Sequence, residues 1–448
     1  MKRMIPFTAL FLSLVLLLGC SPEPAFSGSL AQPVYPEMAP YPDESRFLHP
    51  GTGTFDSEGF SAAYDAWQTD QRQQRDRPRD YASGLKDYFQ KAVPAFLTGE
   101  ENPVCSPLNV YMALTMLSEI TGGTSRQEIL SLLNADSVEA LRSQAGHVWN
   151  AHYCNDGASA SILANSLWLD NGLAYSADAV NRLAESYYAS VFQTDLGSEE
   201  GNRLLRQWLN DQTHGLLKEQ AQNLSLAPQT VLAMASTMYY RAKWSEEFRS
   251  ENNTEDTFHC PDGDRTVTFL QQELSYGPSY WGDDFGAVAL GLEDGSRMWL
   301  ILPDEGKGPA DLLSDGAAMD LVLGGWRETG AQKSLRIHLR LPKFDVSSDI
   351  RLEDAFRKLG VTTVFNPDAA DFSPILPEQA AWLDTVNHAA RVKIDEEGVE
   401  AAAYTVMAVC GAAMPPEDEM DFVLDRPFLF FITSQDDLPL FAGIVHTP

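Results

Sequence analysis

Residues 396–416 read Glu396-Glu397-Gly398-Val399-Glu400-Ala401-Ala402-Ala403-Tyr404-Thr405-Val406-Met407-Ala408-Val409-Cys410-Gly411-Ala412-Ala413-Met414-Pro415-Pro416. From Ala401 to Pro416 there is no charged side chain, although Glu396-Glu397 precedes the stretch and Glu417-Asp418-Glu419 follows it. An exposed segment has no reason to be so apolar unless it is destined for burial. Taken in steps of two, Val399, Ala401, Ala403, Thr405, Met407 and Val409 fall on one face of an extended strand, all small or apolar. Glu400, Ala402, Tyr404, Val406, Ala408 and Cys410 fall on the other, where Tyr404 has room. A charge or bulky group in the inward set would stall entry into a core. Gly398 and the three alanines at 401–403 form a small-residue hinge, with glycine free to adopt conformations closed to other residues.

Outward from this stretch the chain mixes two periodicities. Leu85, Tyr88, Phe89, Ala92 and Phe96 recur at helical spacing and predict an amphipathic helix ending near Gly99. Ser106-Pro107 opens a second helix over 108–120, closed by Gly122-Gly123, and Thr124 is placed to cap a third. Strand-like apolar runs follow at 160–169, 231–240, 287–292, 298–302, 335–341 and 428–433. Helices early and strands late predict an α+β domain with mainly antiparallel sheets, not a regular βαβ alternation. No internal repeat is present.

The 448 residues suffice for one large core or two ordinary ones. With 32 Lys plus Arg against 63 Asp plus Glu, the net charge is −31, which disfavours nucleic acid and anionic surfaces as partners. Residues 1–20 read as a lipoprotein signal peptide. Lys2 and Arg3 precede an apolar run, 7–18, too short and too near the terminus for an ordinary spanning helix. Leu17-Leu18-Gly19-Cys20 then resembles a bacterial lipobox, in which the chain is cut before Cys and the cysteine carries acyl chains that anchor stably together. A plain cleaved secretion signal is the alternative. Residues 21–80, with seven prolines between 22 and 50 and a polar run over 67–80, predict a flexible stalk, leaving 81–448 as the folded domain. Cys105, Cys154, Cys260 and Cys410 are widely and irregularly spaced, which predicts no disulfide framework and no zinc motif. His147, His152 and Cys154 lie close in sequence but lack a fourth ligand and read as structural.

Several segments, in order, resemble the serpin family. They include 102–110, Asn165-Ser166-Leu167-Trp168, 236–244, 302–306, Leu341-Pro342-Lys343-Phe344, 386–390, 395–398, 425–430 and 439–443. The resemblance implies three β-sheets, about nine helices and an exposed reactive loop before the C-terminal strands. It implies a suicide substrate that traps a serine protease as an acyl-enzyme when the cut loop enters the largest sheet, with no catalysis and no cofactor of its own. Glu396, Gly398, Val399, Glu400, Ala401, Ala402 and Ala403 match the hinge, with Val399 in place of the usual Thr or Ser. The register puts the cut between Ala412 and Ala413, with Cys410, Gly411 or Ala413 as the residue before the cut if the longer segment between hinge and Pro427 carries its extra length ahead of it. Ser106 and His388 match a polar shutter beneath the sheet, and Trp244 a breach where the loop first enters. Asn109 stands where Ser is usual and Ser236 where Asn is usual, a paired exchange that would preserve one hydrogen-bond network.

A small residue before the cut suits a protease with a shallow pocket, elastase-like or subtilisin-like, with papain-like cysteine proteases as a further class. The expected protein is a monomer on the extracellular side of a bacterial membrane, held by Cys20 or secreted, without metal or nucleic acid. The competing reading is a non-inhibitory binding or adhesion module on the same fold.

Overall fold

A computed structural model describes residues 27–399 and 418–448, apart from 50, 76, 100, 223, 328, 329 and 331. Cys20, the hinge residues from Glu400 onward and the Ala412-Ala413 bond lie outside the described residues.

The core is organised around the helix Pro107–Ile120, every residue of which is buried. Its start is written locally: Pro107 occupies the first turn, where the missing N–H is no loss, and the Ser106 hydroxyl accepts a hydrogen bond from the Asn109 N–H at 3.3 Å. The preceding helix, Leu85–Phe96, buries the five apolar positions its spacing predicts. The third helix begins two residues earlier than the Thr124 cap implies. Gly122 occupies the cap of Gly123–Leu132, and Gly123 takes a left-handed φ of 49°, which glycine tolerates.

The first sheet carries the site. Its strands are β1 (Ser29–Ala31), β2 (Ala160–Asp170), β3 (Ala189–Thr194), β4 (Leu232–Lys243), β5 (Asp345–Arg351), β6 (Thr385–Lys393) and β7 (Gly398–Val399). The order is β1-β3-β2-β4-β6-β5, with β7 added on β4 and Cys154–Asn155 on β2. One face of the sheet supplies Leu163, Leu167, Met234 and Met238 to the main core. The other presents Ala164, Trp168, Ala233 and Ala235 to a second cluster, closed by Leu205, Trp208 and Leu209 of the helix Glu199–Gln212. Burial on both faces explains why 160–169 and 231–240 read as continuous apolar runs without strict alternation.

Among the described residues the α+β serpin fold is as expected, and the remaining strands form one nine-stranded hydrogen-bonded network in which the second and third sheets are continuous. The 19-residue strand Gly263–Trp281 is the reason. It pairs with Thr254–Cys260 and Gln332–Pro342 along most of its length and with Phe285–Gly291 at its end, fusing two sheets into one. Eleven α-helical segments occur among the described residues, several of them one or two turns long.

The stalk expectation is corrected from residue 27 onward. β1 pairs antiparallel with β3, and Tyr35 packs its ring 5.4 Å from Trp149 and from Tyr153. Residues Ser57–Gln74 form an 18-residue helix capped by Asp56, whose carboxylate accepts from the Gly59 N–H. Phe60, Tyr64 and Trp67 lie on one side of that helix, with Tyr41 against Tyr64 and Trp67. Aromatic rings do here what aliphatic residues do elsewhere, each burying a large area at low rotamer entropy.

Candidate functional site: a parted sheet and its hinge

The two central strands, β4 and β6, run parallel and pair only from Thr385 opposite Ala233 to Ala389 opposite Thr237. Beyond that point β4 continues to Lys243 and β6 to Lys393 without facing each other in a ladder. At the far end of β4, β7 pairs antiparallel with it, Gly398 opposite Lys243 and Val399 opposite Ala242. The sheet is therefore joined at one end, parted at the other, and already entered from the parted end by two residues.

Three successive carbonyls hold this hinge. Trp244 Nε1 donates to the Asp395 carbonyl at 2.9 Å, Phe248 N to Glu396 at 2.9 Å and Trp244 N to Glu397 at 3.0 Å. The Asp395 carboxylate accepts from the N–H groups of Glu397 and Gly398, closing a tight turn. The Glu396 carboxylate pairs with Lys343 at 2.7 Å and accepts from Asn253 Nδ2 at 2.6 Å. Burial pushes the Glu396 carboxyl up, but the Lys343 and Asn253 contacts outweigh it and hold the group below the ordinary carboxylate range. Glycine is required at 398 by closeness rather than by a left-handed φ. A Cβ there would sit 2.7 Å from Lys243 Cα and nearer still to the Ala242 carbonyl oxygen. Val399 is buried, on the same face as Ala242.

At the joined end lies a polar cluster beneath the sheet. Ser106 N donates to His388 Nε2 at 2.8 Å, and His388 stands opposite Ser236 on the neighbouring strand. Burial pushes the His388 imidazole down to about 4, so the ring is neutral and free to accept. Asn109 Nδ2 donates to Ser236 Oγ at 2.8 Å and to the Thr237 carbonyl at 2.6 Å, while Asn165 Nδ2 donates to Asn109 Oδ1 at 3.1 Å. Ser106, Asn109, Ser236 and His388 thus meet in one place, and Trp244 stands apart at the hinge. Asn109→Ser and Ser236→Asn should each cost about 1–3 kcal/mol. The double variant should recover most of that loss, giving a coupling of about 1 kcal/mol or more in chemical denaturation. Strict additivity would mean that the two side chains do not share a network.

Sequence reading missed the partners that hold the hinge, Asp395, Asn253 and Lys343, and missed Asn165 in the polar cluster. Lys343 and Asn253 are far from Glu396 in the chain, and nothing local announces them. Asp395 has a local signal, an Asp two residues before the N–H it binds. Cys105, Cys154 and Cys260 are buried and unpaired with one another. His152 is buried, with its Nδ1 bonded to the Val148 carbonyl at 2.7 Å.

A sequence profile described as Serpin (serine protease inhibitor) matches residues 88–448. Serpin-ZX of Arabidopsis thaliana is 28% identical over 376 residues, covering 80% of this chain and 95% of that protein. Leukocyte elastase inhibitor A of Rattus norvegicus is 25% identical over 357 residues, covering 77% and 92%. Among solved structures, the thermophilic serpin tengpin in its native state superposes with a TM-score of 0.74 at 22% identity, covering 83% of this chain and 95% of that one. The chain belongs to the serpin family, a family of serine protease inhibitors rather than of catalysts.

Proposed function

We propose that this protein is a serine protease inhibitor that acts as a suicide substrate. The protease's serine hydroxyl attacks the carbonyl of Ala412, the Ala412-Ala413 peptide bond breaks, and the Ala413 amine leaves with a proton. An ester joins the inhibitor to the enzyme. The freed segment 400–412 then enters the parted sheet, and the attached enzyme is carried along before water can hydrolyse the ester.

One observation carries this reading: the register of β7 on β4. In an antiparallel pair each residue forward on one strand meets a residue backward on the other. With Val399 opposite Ala242, continued pairing sets Ala401 against Tyr240, Ala403 against Met238, Thr405 against Ser236, Met407 against Met234 and Val409 against Leu232. Those β4 residues line the main core or, in Ser236, the polar cluster. The inward set of the loop therefore arrives in phase with the core.

A relative named as a leukocyte elastase inhibitor and the alanines at the reactive bond both support a target with a shallow pocket, elastase-like or subtilisin-like, with papain-like cysteine proteases as a further class. The lipid on Cys20 and the extracellular, membrane-anchored location belong to the same proposal, with the molecule acting as a monomer. The test is incubation with proteases of these classes, followed by denaturing electrophoresis and mass spectrometry. The expected products are a complex that survives SDS and a released fragment beginning at Ala413. Cleavage of the loop with no such complex would leave the non-inhibitory binding module as the better reading.

A further inference from the structure

The direction in which the chain enters its fold bears on where a trapped enzyme ends up. β2 runs from Ala160, opposite Arg241 near the hinge end of β4, to Leu169, opposite Leu232 at the joined end. β3 runs parallel to β2 and ends beside it, Gln193 opposite Leu169 and Thr194 opposite Asp170. β1 is antiparallel to β3, with Ser29 opposite Phe192, and Gln193 N donates to the Gly28 carbonyl at 2.7 Å. Gly28 and Ser29 therefore lie at the joined end of the sheet, the pole opposite the hinge. The 12 residues of β4 separate the two poles by about 40 Å.

Continuing the β7 register brings Val409 opposite Leu232, the first residue of β4, so Ala412 lands just past the joined end. Counting across the sheet, the inserted strand, β4, β2, β3 and Gly28 are successive neighbours. At about 4.8 Å per strand spacing, residue 412 comes to lie roughly 20 Å sideways from Gly28. Only seven residues, 21–27, lie between Cys20 and Gly28, a reach of under about 30 Å even when fully extended.

We infer that the lipid bilayer lies against the joined pole of the first sheet, with the hinge pole facing outward, so that a protease captured at the outer pole is delivered to the membrane side. The packing of residues 29–74 enforces this orientation, because a free stalk of sixty residues would let the molecule tumble. The inference rests on the insertion mechanism and on the lipid at Cys20, both proposed above.

The experiment uses the full-length lipidated chain in vesicles of phosphatidylethanolamine and phosphatidylglycerol carrying an acceptor dye on the lipid. In a Cys410→Ser background, where Cys105, Cys154 and Cys260 are buried, a donor dye is placed at Ser27→Cys or at Glu246→Cys, both exposed positions, the second beside Trp244. Energy transfer to the bilayer should be strong from position 27 and about fivefold weaker from position 246, given the ~40 Å between the poles. A donor-labelled protease should show weak transfer at first encounter and transfer comparable to position 27 once the SDS-stable complex has formed. Equal or stronger transfer from position 246, failure of the chain to partition with vesicles, or a trapped protease that stays far from the lipid would each overturn the inference. Absence of any SDS-stable complex, with the position 27 and 246 signals as expected, would instead strike at the inhibitor reading and leave the orientation standing.

Discussion

Ala401→Arg should turn the inhibitor into an ordinary substrate. With Val399 opposite Ala242, residue 401 arrives opposite Tyr240, a buried core side chain, so a guanidinium there would be drawn out of water. Leaving a buried charge unpaired costs on the order of 4 kcal/mol. Placed in the transition state for insertion, that penalty slows entry by about a thousandfold. The protease would then hydrolyse its ester and depart, and denaturing electrophoresis should show cleaved inhibitor and free enzyme in place of the covalent complex. Ala401→Ser, small and uncharged, should retain trapping. If the arginine variant still forms the complex at the parental rate, the loop does not enter this sheet in this register.

Cleavage near Ala412 without a retained protease should make the molecule much harder to melt. Insertion places Ala401, Ala403, Thr405, Met407 and Val409 in the core and forms a ladder of backbone hydrogen bonds on each side of the new strand, in exchange for the short one between Thr385–Ala389 and Ala233–Thr237. Apolar burial of that size together with the new hydrogen bonds contributes about 10 kcal/mol. For a domain larger than 200 residues, 1 kcal/mol corresponds to about 2 °C, so Tm should rise by roughly 20 °C. Differential scanning calorimetry of the intact and nicked protein compares the two directly. An unchanged Tm would mean that the intact fold stores nothing for the loop to release.

The parts of the site that were legible in the sequence are those whose chemistry is local. The absence of charge over 401–416 and its period-two pattern depend only on neighbouring residues, and the phase they define agrees with the side of β4 that Val399 occupies. Ser106, Asn109 and Ser236 were legible because the resemblance fixes their places, and the exchange of Asn and Ser takes physical form in the 2.8 Å bond between them. The Glu396 clamp was not legible, since Lys343 and Asn253 approach it from connections between elements brought together only by the whole fold. Residues 27–74 depart from the stalk expectation for a different reason. Proline and polar residues dominate its composition, yet Phe60, Tyr64 and Trp67 follow helical spacing and Asp56 stands in the capping position. Periodicity among a few aromatic rings outweighed composition. The merging of two sheets through Gly263–Trp281 left no mark in the sequence, because strand propensity does not record which neighbours a strand will choose.

The two rungs of β7 also bear on time. Zipping a strand into a slot is slow to begin and fast to continue, because the first contacts must close a loop before any later one can form. Here that opening step is complete in the resting protein, with Gly398 and Val399 seated and three carbonyls tied down by Trp244 and Phe248. Once the peptide bond is cut, the ester faces a race between water and a zipper whose first teeth are engaged. The margin of that race, more than the final depth of burial, divides a trap from a meal.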